Sequence, residues 1–212
     1  MTAPRHTSGV RTVIGVDAGC AGLRDADHLV HRLVEVLDLP ADTVGCTHLV
    51  RGARPHTAVS FALPDADAAE SAWERLVVLL ADPGEPPTGA VLGEREFGPA
   101  EWVDGATLAA AEHAGRNAGR AVVFPGVDVL NGTITLERLL VDSAVDRVSL
   151  LGSPAGGPEL SGADTLVMTR GHVRPTWQAG DLLLPLVPAA GGVLAPFEVP
   201  NPTPCCADHD HA

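Results

Sequence analysis

Hydrophobic periodicity over residues 11–97 alternates between strand and helix spacing in the order β-α-β-β-α-β, and few architectures accommodate that order. Residues 11–16, RTVIGV, read as a short buried strand followed by a Gly-containing turn over 17–22. Residues 24–38 read as a helix. At 100° per residue, Ala26, Leu29, Leu33, Val36 and Leu37 share one arc. Arg24, His28, His31, Arg32 and Glu35 share the opposite arc, and Pro40 closes the element. Residues 44–50 and 57–63 read as strands joined by a turn through Gly52 and Pro55. In the second, Val59, Phe61 and Leu63 alternate with Ala58, Ser60 and Ala62, the period of a half-buried strand. Asp65 and Asp67 are helix-start signals, and Asp67 with Glu70 resembles a capping box. The helix that follows runs to about Leu80 on a stripe of Ala69, Trp73, Leu76, Val77 and Leu80, and a strand is expected over 90–97. The order is that of an α+β, ferredoxin-like sandwich with two helices on one face of an antiparallel sheet.

The predicted boundary lies at 98–105, giving a ferredoxin-like unit over 1–100. A smaller strand-rich α/β unit is expected over 101–199, with an Ala-rich helix at 106–118 and a strand at 121–124. A short helix at 136–141 and strands at 146–151, 164–169, 181–187 and 193–199 complete it. A Gly/Pro-rich loop interrupts it, and residues 200–212 form a Pro-rich Cys/His tail.

Composition excludes several function classes. The net charge of −13 repels phosphate backbones and anionic membrane surfaces, so the reading is no nucleic acid and no membrane partner. It favours cations, metal ions among them. All 14 basic residues are Arg, which removes Schiff-base lysine chemistry and a P-loop lysine. Aromatic residues make up 3%, with no Tyr, so Val, Leu and Ala must supply the core. Residues 1–10 show no apolar signal-peptide segment, and no 18-residue apolar run occurs. The expected location is therefore cytoplasmic, where four Cys are read as thiols or ligands in preference to a disulfide framework.

The chemically densest segment is the tail. Pro200, Pro202 and Pro204 favour an extended polyproline rise into Cys205, Cys206, His209 and His211, with Asp208 and Asp210 between and beside the ligands. Thiolate and imidazole suit zinc or Cu(I). The spacing is not that of a zinc finger, and a metal-scavenging tail or a vicinal disulfide are the plainer readings. Cys46 and His48 share a strand face, either to meet Cys20 and the tail or as an inward face with a hydrogen-bonded core histidine. His28, His31 and Glu35 form a ligand-like stripe opposite the apolar arc, which is read as a solvated face.

Arg170, His172 and Arg174 alternate, so an extended backbone would put all three on one side as an anion site beside Trp177. The alternative is an edge whose charges pair with the abundant acids. Gly152–Gly162 lacks the order of a phosphate cradle, and no serine stands in a nucleophile elbow. Three functions follow as expectations. The first is a metal-handling or metal-stabilised binding protein using the tail with zinc or copper. The second is a small-molecule enzyme or anionic-ligand-binding protein, its pocket between the halves and anchored by Arg170, His172 and Arg174. The third is an adaptor that pairs its sheet with a protein partner.

Overall fold

The structure, a computed structural model, describes residues 12–152 and 164–199. It is mixed α+β, with four helices and a 12-stranded, mostly antiparallel sheet among the described residues. The first half runs β1 (Thr12–Cys20), α1 (Leu23–Val36), β2 (Val44–Val50), β3 (His56–Leu63), α2 (Ala66–Leu80), β4 (Gly89–Leu92) and β5 (Arg95–Phe97). In the sheet these strands lie in the order β5-β4-β1-β3-β2, every neighbouring pair antiparallel.

α1 and α2 cover one face of that sheet. Ala26, Val30 and Leu33 from α1 and Ala69, Ala72, Trp73 and Leu76 from α2 pack on Ile14, Val16, Val59, Phe61 and Leu63. The arc expected for α1 is displaced: Val30 is buried where Val36, half exposed, was expected. Ala26, Val30, Leu33 and Leu37 follow the i, i+4, i+7, i+11 ridge of a helix lying on a sheet. α2 starts one cap earlier than the sequence suggested. Asp65, not Asp67, is the N-cap, and its Oδ1 accepts from the Ala68 N–H at 2.8 Å.

The other face is covered as well. α3 (Ala100–Ala114) lies across β1, β3 and β4, so the Ala58, Ser60 and Ala62 side of β3 is buried instead of solvated. Close approach explains the composition: a Cβ on Gly15 of β1 would lie 2.0 Å from the Ala106 carbonyl oxygen. α3 thus begins inside the segment expected to be a boundary and packs on the first half. The strand expected over 90–97 is a hairpin, β4–β5, turned at Gly93 with φ +60.

The remainder comprises β6 (Arg120–Val123), β7 (Thr133–Thr135), α4 (Leu136–Val141), β8 (Arg147–Leu150), β9 (Leu166–Met168), β10 (Thr176–Gln178), β11 (Asp181–Ala189) and β12 (Val193–Pro196). β6 pairs with the outer edge of β2, and the sheet continues β6-β10-β11-β12-β9-β7, with β8 parallel to β11. Leu182, Leu184 and Leu186 alternate inward from β11 onto Leu130, Leu139, Val145 and Val167. No described helix is long and apolar enough to cross a membrane.

Candidate functional site

β2 presents Cys46 and His48 to the α3 face, two residues apart as the strand period requires. β3 places Ser60 directly opposite Cys46, α3 lays Glu112 and His113 over them, and β10 brings Trp177 alongside. A continuous set of hydrogen bonds results. Glu112 Oε2 lies 2.8 Å from His48 Nδ1, and His48 Nε2 lies 2.8 Å from Ser60 Oγ. Ser60 Oγ lies 2.7 Å from His113 Nδ1, and His113 Nε2 lies 3.8 Å from Cys46 Sγ. Trp177 packs in the same core cluster as Cys46, and its buried indole N–H has no hydrogen-bond partner among the described residues.

Donor and acceptor roles follow from requiring a partner for each buried group. A carboxylate only accepts, so His48 Nδ1 donates to Glu112 and His48 Nε2 accepts from the Ser60 hydroxyl. Ser60 then accepts from His113 Nδ1–H, and His113 Nε2 accepts from the Cys46 thiol. The series ends at the Cys46 thiol, and the buried Trp177 indole N–H beside it has no hydrogen-bond partner among the described residues. Each interior member donates once and accepts once, with both imidazoles neutral. Burial agrees: it pushes the His48 pKa below its ordinary value despite the opposing pull of Glu112. Burial likewise pushes the Cys46 thiol well above its ordinary range, so the thiol stays protonated.

The Glu112 end of this chain reaches a cleft of about 410 Å³, which Trp177 also lines. Glu112 is 31% exposed there, whereas the His48 side chain is wholly buried beneath it. Leu23, Leu49, Arg51, Asn117, Arg120, Trp177 and Gln178 complete the walls. No family model, curated protein or solved structure matches this chain. The site is therefore read from its own chemistry.

Beside the cleft, Arg120 holds two acids at once. Its guanidinium donates to both Asp27 oxygens at 2.6 and 3.1 Å, and from Nε to Glu198 at 2.7 Å. Arg174 Nε reaches Asp27 at 3.3 Å, and His172 Nε2 lies 3.1 Å from Glu198. Burial opposes the charge on Asp27 and on Glu198, but hydrogen bonds and charge from Arg120 outweigh it and hold both carboxyls below their ordinary pKa. Two members of the sequence-predicted cationic run, His172 and Arg174, are thus brought together around internal acids. Arg170 is exposed with φ +52, so the backbone does not continue extended through it, and it joins neither acid.

A third polar cluster sits under the first turns of α3. Asp17 is fully buried, its Oδ2 2.8 Å from His56 Nε2 and its Oδ1 accepting from the Gly19 N–H at 2.9 Å. His56 Nδ1 lies 2.8 Å from the Arg54 carbonyl, and Trp102 packs edge-on against the ring. Both partners of His56 are acceptors, so both ring nitrogens donate and the ring is an imidazolium. Burial works against that charge, yet the Arg54 carbonyl and the Asp17 carboxylate outweigh it and raise the His56 pKa.

Of the other sequence candidates, Cys20 packs with the α1–α2 core, on the opposite face from Cys46 and His48. His28, His31 and Glu35 are exposed on α1. Cys205, Cys206, His209 and His211 lie outside the described residues, as does nearly all of the Gly/Pro-rich loop. Among the described residues no group of three or more His, Cys, Asp and Glu is placed to hold a metal ion. Sequence reasoning did not find Ser60, Glu112, His113, Arg120, Asp17 or His56. One signal was available: Glu112-His113 is a polar pair inside an Ala-rich helix.

The opposed histidine shifts predict a stability maximum near pH 6.5. His56, with its pKa raised, contributes stability that is complete below about 6.5 and is lost as pH rises through its folded value. His48, with its pKa lowered, contributes stability present above about 6.5 and lost as pH falls toward its folded value. Asp27 and Glu198 extend the acid-side loss below about pH 4. Urea midpoints at pH 5.5, 6.5 and 8.5 test this. A midpoint that keeps rising from 6.5 to 8.5 would contradict the charged assignment of His56.

Proposed function

We propose that the chain binds a small polar molecule in the cleft between β2, the C-terminal end of α3 and β10. Glu112 is the group that meets the ligand. The observation that carries this reading is the one-directional hydrogen-bond chain ending on Glu112. It fixes one carboxylate oxygen and leaves Oε1 at the cleft wall without a partner among the described residues. Buried polar series are costly unless their members are satisfied, and this one is paired from Cys46 through His113, Ser60 and His48 to Glu112 at the cleft. A panel of small polar molecules, screened by thermal shift and ligand-observed NMR, tests the reading. Hits are expected to weaken about tenfold or more in Glu112→Gln, the loss of one charge-assisted hydrogen bond. Hits that bind Glu112→Gln as well as wild type would remove Glu112 from the site, and no hits at all would remove the cleft.

The first half is read as a ferredoxin-like sandwich. The antiparallel order β4-β1-β3-β2, with α1 and α2 on one face, supports this. β5, α3 on the second face and the join to β6 are additions to that plan. An anion site at Arg170, His172 and Arg174 would need its ligand to compete with Asp27 and Glu198 for two of the three groups.

A second reading is carried by the sequence pattern Cys205-Cys206-x-x-His209-x-His211: metal handling by the tail, with zinc or Cu(I) as the ion. Deleting residues 205–212 is expected to leave the thermal midpoint unchanged and to abolish stoichiometric metal binding. Metal analysis of both proteins decides it, and equal metal content would end this assignment.

A further inference from the structure

The charges around the cleft specify more than polarity. Arg120 is saturated by Asp27 and Glu198, and Arg174 shares Asp27, so that neighbourhood is balanced internally. Two charged wall groups keep unused capacity: Glu112, an acceptor through Oε1, and Arg51, a donor with no ion pair among the described residues. The Asn117 and Gln178 amides are neutral wall groups, also without hydrogen-bond partners there. Leu23 and Leu49, 49% and 54% exposed, add an apolar surface to the same cleft. Such a set of walls complements a molecule that carries one cation, one anion and an aliphatic body.

We infer, resting on the cleft reading above, that the ligand is a zwitterion of dipeptide size, with its ammonium on Glu112, its carboxylate on Arg51 and an aliphatic side chain on Leu23 and Leu49. The role of Glu112 follows from the direction of the buried chain. His48 donates to it, so Glu112 is held as an acceptor, and the ligand group that meets it must be a donor. Arginine is a donor only, so the group that meets Arg51 must be an acceptor, and a carboxylate matches its fork. Size follows from the cleft. Leu49 stands on the opposite side of β2 from His48 and Arg51 just past the strand's end at Val50, yet all three line the one cleft. A ligand that meets both Glu112 and Arg51 passes that strand end, a reach that an extended dipeptide at about 3.5 Å per residue suits better than a single amino acid. The cleft volume of about 410 Å³ holds a molecule of that size.

The test uses four probes against the full-length chain, by isothermal titration calorimetry: Ala-Leu, N-acetyl-Ala-Leu, Ala-Leu amide and free leucine. Ala-Leu is expected to bind, and removal of either terminal charge is expected to weaken it about tenfold or more. Free leucine is expected to bind less well than Ala-Leu. In Glu112→Gln the distinction between Ala-Leu and its N-acetyl form should vanish. In Arg51→Gln the distinction between Ala-Leu and its amide should vanish, and Arg51→Lys should restore part of it. Circular dichroism confirms that each variant is folded. Capped forms that bind as well as Ala-Leu, or distinctions that survive the substitutions, overturn the inference. If none of the four binds while other small polar molecules do so under Glu112 control, the zwitterion is wrong and the cleft reading stands. If no small molecule binds, both fall.

Discussion

Replacing His56 with Ala is expected to cost about 3–5 kcal/mol, because it strands Asp17 in the interior with the Gly19 N–H as its one remaining hydrogen-bond partner among the described residues. The asymmetry of the pair sets the size of the effect. Asp17 is fully buried while the His56 side chain is 15% exposed, so removing the cation leaves the more desolvated partner behind. α3 cannot relieve the strain by moving closer, since Gly105 already lies where its Cβ would be 1.8 Å from Asp17 Oδ2. The double variant Asp17→Ala/His56→Ala should recover part of the loss, because it removes the uncompensated charge along with its partner. His56→Gln, which keeps a donor, should fall between the two. Denaturant unfolding of wild type, these three variants and the single variant Asp17→Ala measures the cycle. A double variant no more stable than His56→Ala would show that the pair acts through packing alone.

Gly15→Ala is the other severe substitution expected. The added methyl would sit 2.0 Å from the Ala106 carbonyl oxygen and 3.1 Å from Ala110 Cβ. A flexible side chain can turn away from such a contact, but a backbone carbonyl in mid-helix moves only if α3 moves. The expected loss is about 3 kcal/mol, the upper end for overpacking, because the obstacle is rigid. Gly93→Ala serves as the control. That glycine has open space around it and φ +60, so its cost should be the left-handed backbone penalty of about 1–2 kcal/mol. Equal losses at both positions would mean that α3 is not pinned at Gly15. The Gly15 variant should also slacken the Glu112–His48 contact, since the same helix carries Glu112 and His113.

What the sequence revealed depended on how local the determining contacts were. Helices and strands of the first half could be read because Val59, Phe61 and Leu63, or Ala69, Trp73 and Leu76, advertise their period within a few residues. Three-residue strands such as β7 and β10 are too short to show a period at all. α3 starts earlier than the expected 106 because residues 98–105, GPAEWVDG, read as a boundary, and because alanines on every side hide which face is buried. In the structure that same smallness lets α3 lie against β1. Cys46 and His48 could be put on one face from their spacing. Their partners could not, since Ser60, Glu112 and His113 reach them across separations of 12, 64 and 67 residues. The partners of the cationic run were hidden for a similar reason. Its acids, Asp27 and Glu198, lie 147 residues before Arg174 and 26 after His172.

The sheet is not laid down in the order in which its strands stand side by side. β5-β4-β1-β3-β2 is built from residues 12–97 alone, so five strands can pair while the rest of the chain is still being synthesised. β6 then closes the open edge of β2, but its own far side must wait for β10, about 50 residues later. At about 5–20 residues per second, the nascent chain carries an unfilled sheet edge for roughly 3–10 seconds. An open edge of that kind recruits strands from other chains. The edge that β6 offers in that interval is four residues long and begins with the charge of Arg120. Its shortness and its charge leave little for a neighbouring nascent chain to pair with before the molecule supplies its own strand.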